Sequence, residues 1–188
     1  MTDRRHIAET ERTRANLMQV GTIAEADYAS ARVRVTIGGL VSAWLPWITG
    51  RAGGDRTWAA PEIGEQVLVA CPDGDPASGV VVGAIYQADH GAPADSADVH
   101  RTTYSDGAVI EYDRAAHALS AILPGGGSVT LTSPGGITIT APQVSITGDL
   151  SVTGTLTASE DVIADGVSLA THVHSGVETG PGTTGEPL

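Results

Sequence analysis

Residues 128–164, SVTLTSPGGITITAPQVSITGDLSVTGTLTASEDVIA, decide the fold. Apolar pairs recur at Val129/Leu131, Ile137/Ile139, Val144/Ile146, Leu150/Val152, Leu156/Ala158 and Val162/Ala164, so successive first members are 8, 7, 6, 6 and 6 residues apart. Within a pair the two residues are i and i+2, which places both on one face of an extended chain. Ser, Thr, Gly and Pro fill most of what lies between. Each unit is too short and too thin to bury a core, because isolated strands of this length are unstable in water. A repeat that leaves one apolar face uncovered has to stack.

Two arrangements would cover that face. A single-chain solenoid uses about 20 residues per coil, and these units are roughly a third of that. Three identical chains, each giving one short strand per layer, would instead wind into a triangular prism with Ile, Val and Leu at the axis. Each side chain buried there contributes roughly 1.5–3 kcal/mol. Ordering costs about 1–2 kcal/mol per residue, which is offset only if the Ser/Thr-rich backbones pair fully between chains. The expectation is a homotrimer with a β-helical shaft.

Directly after the repeat comes Thr171-His172-Val173-His174-Ser175-Gly176. In an extended chain His172 and His174 project to one side. Two imidazoles make a poor metal site, but three copies around an axis supply six nitrogens, an octahedral shell. The H-x-H pattern alone is short and occurs by chance as a polar strand end. Its position after a trimeric prism, the turn-rich Gly180-Pro181-Gly182-Thr183-Thr184-Gly185 beyond it, and the gain from stapling a narrow tip favour a metal. Six neutral imidazoles suit a late first-row divalent ion better than zinc, which prefers four ligands. Fe(II) is the expectation, with Ni and Co compatible on geometry. With every position filled by protein the ion would be structural. His6, His90 and His100 fall in the helix start and the linker and read as solvated, and His117 reads as a strand residue.

Charge excludes other functions. The 10 Arg are the only basic residues besides His, and the last is Arg114; the net charge is −12. Such a chain, without basic clusters, is a poor nucleic-acid binder and gains nothing from anionic lipid surfaces. Cys71, the only cysteine, reads as a buried small hydrophobe in a strand. No run approaches the ~18 apolar residues of a membrane span. The polar N-terminus lacks a signal-peptide core, so a soluble protein made in the cytoplasm is expected.

Upstream, residues 1–19 read as a short amphipathic helix, marginal alone and so packed on something. Residues 20–95 contain period-2 strands at Val20–Ala26 and Ala31–Ile37, then Leu40–Ile48, Gln66–Ala70 and Val80–Tyr86. Val33, Val35 and Ile37 face one way; Arg32, Arg34 and Thr36 face the other. Five short strands in about 70 residues fit an OB barrel. Gln87–Asp98 reads as a linker, and Ala108–Asp113 as the first strand of a shaft over 96–165, with an apex over 166–188. The fold class is therefore all-β: OB barrel, intertwined trimeric β-helix and metal-stapled apex, with a short N-terminal helix.

Catalysis finds no support. No G-x-S-x-G, Walker A, H-E-x-x-H or Cys/His pairing is present. Glu160-Asp161 and Asp73/Asp75 read as solvated turn carboxylates. A trimeric receptor-binding fibre is the competing class. Such fibres end in aromatic-lined heads, whereas Trp44, Trp47 and Trp58 all lie in the barrel and the 76 residues after Tyr112 contain no Trp, Tyr or Phe. An effector-delivery spike of a secretion machine is a third possibility.

Several blocks resemble the baseplate assembly protein V family, the central spikes of contractile-tailed bacteriophages and R-type pyocins. They are Arg32–Leu40, Trp44-Leu45-Pro46-Trp47-Ile48, Arg51-Ala52-Gly53, Arg56–Pro61, Gly64–Leu68, Asp106–Tyr112, Thr171–Gly176 and Gly182–Leu188. The resemblance implies a homotrimer whose OB end docks on the tail hub. It further implies one iron ion held by the H-x-H of three chains, here His172 and His174. Sheath contraction would drive such a spike through the outer membrane of a Gram-negative host, in a virion or a tail-like bacteriocin. Some relatives carry a lysozyme-like domain; nothing here could encode one, so the action would be mechanical.

Overall fold

The computed structural model describes residues 2–174, 176 and 180. It falls into two compact units, Met1–Thr130 and Leu131–Leu188.

The first unit opens with helix α1, Thr2–Asn16. It stops short of residue 19, where the sequence pattern placed its end, because a distant strand claims the next residues. The Leu17 carbonyl accepts from Cys71 N at 2.8 Å, and Met18 pairs with Ala70. The helix touches the rest of the unit at its C-terminal end. There the backbone of Thr13 lies against Gly74, where an added Cβ would stand 2.8 Å from the Thr13 carbonyl oxygen.

Five strands come next: β1 Met18–Asp27, β2 Arg32–Ile37, β3 Leu40–Val41, β4 Gln66–Ala70 and β5 Val80–Ala84. All pair antiparallel, in the order β3-β2-β1-β4-β5. Alternation in β2 is as the sequence pattern requires: Val33 and Val35 are fully buried, and Ile37 packs against the core they form. A bulge between Ile23 and Glu25 bends β1, which helps a short sheet curl.

Trp44-Leu45-Pro46-Trp47-Ile48 closes the curl. Leu45 exchanges two backbone hydrogen bonds with Val33, at 2.9 and 2.8 Å. Further along the segment, Ile48 N donates to the Val81 carbonyl and Val81 N to the Pro46 carbonyl. One segment thus bridges the β2 edge to the β5 edge, and the sheet becomes a barrel. Its core is Ile23, Val33, Val35, Leu45, Val67, Val69, Cys71 and Val81. Cys71 is buried as expected, but it follows β4 and caps a short 3-10 turn, Pro72–Gly74, instead of lying within a strand.

After the barrel stands a three-stranded meander: β6 Val99–Thr103, β7 Val109–Asp113 and β8 Ala118–Ile122. All five residues of β7 pair with both neighbours. Two histidines fall elsewhere than expected. His100 lies on β6 and pairs with Tyr112, because the β6 register is fixed by β7 and not by local hydrophobicity. His117 lies in the β7–β8 turn with φ 54°, a left-handed conformation outside the strand region. Asp113 Oδ1 holds that turn by accepting from Ala115 N and Ala116 N. Residues 87–98 form no strand, and Gln87 Nε2 ties the start of the segment to the Gly64 carbonyl at 2.8 Å.

In the second unit the apolar pairs are bare. Leu131, Ile137, Ile139, Val144, Ile146, Leu150, Val152 and Leu156 are all exposed, the least of them by 48%. Residues 131–161 make no backbone hydrogen bond to one another. One hairpin stands at the end of the ladder: β9 Ile163–Ala164 and β10 Val167–Ser168.

Candidate metal centre

The hairpin turns through Asp165-Gly166, both at positive φ (49° and 78°). Asp-Gly is favoured there because both central residues of a two-residue hairpin turn need that conformation. The Asp161 carboxylate lies across the open end. Its Oδ1 accepts from Val162 N at 2.8 Å and from Ala170 N at 3.0 Å. Leu169 N adds a bond to the Val162 carbonyl. The Asp161 carboxyl is held below the usual range, with the Ser168 hydroxyl the largest influence and the Ala170 amide the next. Asp161 is therefore exposed, as expected, and at the same time engaged with its neighbours.

Ser168 organises the chain that leads into the histidines. Its hydroxyl accepts from Thr171 N at 2.9 Å and from Thr171 Oγ1 at 2.8 Å. Its carbonyl receives His172 N at 3.2 Å and lies 2.9 Å from His172 Nδ1. A carbonyl oxygen can only accept, so Nδ1 carries the proton, and in the neutral ring Nε2 is left with the free lone pair. The His174 ring stands beside it, with centroids 5.2 Å apart and planes at 78°. Both rings are exposed.

Sequence reasoning therefore found the pair that the structure brings together. It missed the support from Asp161, which holds Ala170, and from Ser168, which holds Thr171 and His172, although Asp165-Gly166 between two β-prone dipeptides is the signal that would have revealed the hairpin. Most of the turn-rich cap expected after His174 lies outside the described residues, as do Ser175 and the acids Glu178 and Glu186. Asp73 and Asp75 belong to the first unit. There Asp75 Oδ1 caps the turn Pro76–Ser78 by accepting from Ala77 N at 2.9 Å.

Can these residues hold a metal? The donor set fits. Two adjacent imidazoles, one with its Nδ1 held by a carbonyl, are the donor type that suits a borderline divalent cation. One chain gives only two nitrogens, so a closed shell needs further copies. An ion held there would tie its ligands together structurally.

A closed OB barrel, a thin apolar ladder without a partner in its own chain, and an H-x-H apex together define a structural spike of the contractile-tail baseplate. The comparisons agree at both ends. Residues 19–86 match the type VI secretion system/phage-baseplate injector OB domain family, and residues 166–187 match the GpV Apex motif. The chain is also 37% identical over 209 aligned residues to the "Spike protein" of Escherichia phage P2, covering 97% of this chain and 98% of that one. This chain belongs to the phage-baseplate spike family. Its role is that of a structural tail spike, assembled with tail and baseplate components.

Proposed function

We propose that three copies of this chain intertwine into a spike that is driven through the outer membrane of a Gram-negative host when the tail sheath contracts. One observation carries the trimer: the whole Ile/Val/Leu ladder of residues 131–156 is exposed in a single chain, without an internal backbone bond. In water that arrangement is unstable, and sister chains supply both the apolar cover and the missing hydrogen bonds. In the spike, residues 96–165 form the shaft and 166–188 the apex, while the barrel over 20–95 faces the tail hub. A shaft whose strands are all paired between chains has no free edge and resists forced unfolding. The net charge of −12, with no lysine, keeps the surface from adhering to anionic head groups during passage.

At the apex, His172 and His174 from three chains surround one iron ion. The ion is structural, and the work is mechanical, so no catalytic group is needed. The particle is a virion or a tail-like bacteriocin. The secretion-system reading has the description of the OB family in its favour; the near full-length match to a phage spike favours the tail.

Light scattering combined with elemental analysis tests this. The expected result is about three times the 19.1 kDa chain mass, with one iron per three chains. Replacing both His172 and His174 by Ala should remove the metal and leave the trimer. A folded monomer at low concentration, or stoichiometric iron in the double variant, would contradict the corresponding part.

A further inference from the structure

We propose that Asp161 is a positioning residue for the metal site: by closing the β9–β10 hairpin it places the Ser168 carbonyl that fixes the His172 tautomer, so that Nε2, not Nδ1, is the nitrogen presented to the ion. This rests on His172 and His174 being the ligands.

Asp161 precedes His172 by eleven residues, and the hairpin folds the intervening chain back. Oδ1 binds the amides of Val162 and Ala170, one on each side of the β9–β10 pair, and so closes the hairpin where its ladder ends. The bond from Leu169 N to the Val162 carbonyl, 2.8 Å, lies inside that closure. The Ser168 hydroxyl accepts from Thr171 N and Oγ1, and Ala170, between them in the chain, is held by Asp161. With both ends of the turn 168–171 held, the Ser168 carbonyl is fixed in space and takes two donors from one residue, His172 N and His172 Nδ1.

That second bond does three things. It specifies which ring nitrogen is protonated, it sets the ring's orientation, and it raises the electron density at the other nitrogen. Groups that hold the non-ligating nitrogen of a metal-bound histidine act in these ways. Here the holder is a backbone carbonyl, which no side-chain substitution can remove. The handle on it is the carboxylate that anchors the hairpin. His174 has no such bond among the described residues, so the two histidines are unequal: His172 arrives oriented, and His174 is oriented by the ion.

Two measurements test this on the full-length protein. In the metal-stripped, ¹⁵N-labelled chain above the histidine titration range, long-range ¹⁵N–¹H correlations should show His172 as the Nδ1–H tautomer. In Asp161→Ala it should become a mixture of both tautomers. Competition for Fe(II) against a chelator should show Asp161→Ala weakened by roughly 10–100-fold, the usual effect of losing an outer-shell partner. Asp161→Asn retains an oxygen able to accept from the amides of Val162 and Ala170, and should recover most of the loss. Wild-type affinity in Asp161→Ala, or an Nε2–H tautomer in the unsubstituted chain, would overturn the inference. The tautomer measurement decides even if Asp161→Ala does not assemble. Failure of the metal-apex reading looks different: the His172→Ala/His174→Ala double variant would then keep its iron, and the positioning role would fall with it.

Discussion

At Ser42 the chain leaves the β2–β3 ladder, and a side chain takes over a backbone task. Ser42 N donates to the Val35 carbonyl at 2.9 Å, while Val35 N, in the middle of the core, donates to Ser42 Oγ at 2.9 Å. The hydroxyl in turn donates a hydrogen bond to the Ala43 carbonyl at 2.7 Å. Ser42→Ala therefore strands a buried N–H, which costs about 1–3 kcal/mol. The check is a lower denaturation midpoint together with faster amide exchange at Val35, and unchanged exchange there would refute the assignment. Asp27 gives a prediction about pH. Its carboxylate accepts from Ser30 Oγ at 2.6 Å, from Ser30 N and from Ala29 N, and these bonds, led by the Ser30 hydroxyl, lower its pKa. A depressed folded value means that the contribution is complete above the ordinary aspartate range and disappears as the pH falls through the folded value. In a carboxyl ¹³C titration Asp27 should therefore protonate below an ordinary aspartate, and the β1–β2 turn should loosen with it. Cys71 is the third case. Burial, with Asp75 second, pushes its thiol up, and the side chain is only 1% exposed. Thiol reagents should modify it only on unfolding; rapid labelling of the native protein would contradict the packing.

Among the elements, β1 is the tightest. It runs between β2 and β4, and at Gly21 an added Cβ would stand 2.5 Å from Val35 Cγ1 and 2.6 Å from the Thr36 carbonyl oxygen. The Val35 methyl could turn aside, but the carbonyl belongs to the ladder and cannot. Gly21→Ala should destabilise the barrel by about 1–3 kcal/mol, read as a shift in denaturation midpoint; a neutral effect would mean that the strands are further apart. How much of these elements could be read from the sequence depended on where the information for each was stored. The limits of β4 were legible to the residue, and β2 to within one, because the alternation that buries Val67, Val69, Val33 and Val35 is local. Ala31 falls outside β2 since it sits at φ 52°, which the alternation could not show. Leu17 and Met18 read as helix and joined the sheet through partners more than 50 residues away. β6 was not legible at all: Val99-His100-Arg101-Thr102-Thr103 has a single apolar residue, and its register is imposed by β7; β8 showed only as a strand expected at His117, which itself falls in the turn just before it. The same division holds at the site. The His172/His174 pair shows in two letters, whereas Asp161 meets Ala170 only after a hairpin has formed.

For the molecule as a whole, the ladder sets the terms. A barrel with a dense core can fold from one chain, but residues 131–161 cannot satisfy their backbones alone. The stability of the shaft should thus depend on association, and it can be attacked from its apolar face without touching the barrel. Leu150 and Ser151 are neighbours on opposite faces of one extended segment, and both are exposed in the single chain. If the apolar face meets the axis, Leu150→Asp places three carboxylates together in a dry interior. Each unpaired buried charge there costs several kcal/mol after relaxation, and about 1.5–3 kcal/mol of apolar burial per side chain is lost besides. Ser151→Asp puts the same charge into solvent and should be close to neutral. We therefore expect Leu150→Asp to sediment below the trimer mass and to lose its resistance to dissociation on heating, while Ser151→Asp keeps both. Near-UV circular dichroism from the barrel tryptophans should stay native in the two variants, showing that the lesion lies in the shaft. Equal behaviour of Leu150→Asp and Ser151→Asp would mean that the alternating pattern does not define an inside and an outside, and the threefold shaft would have to be abandoned.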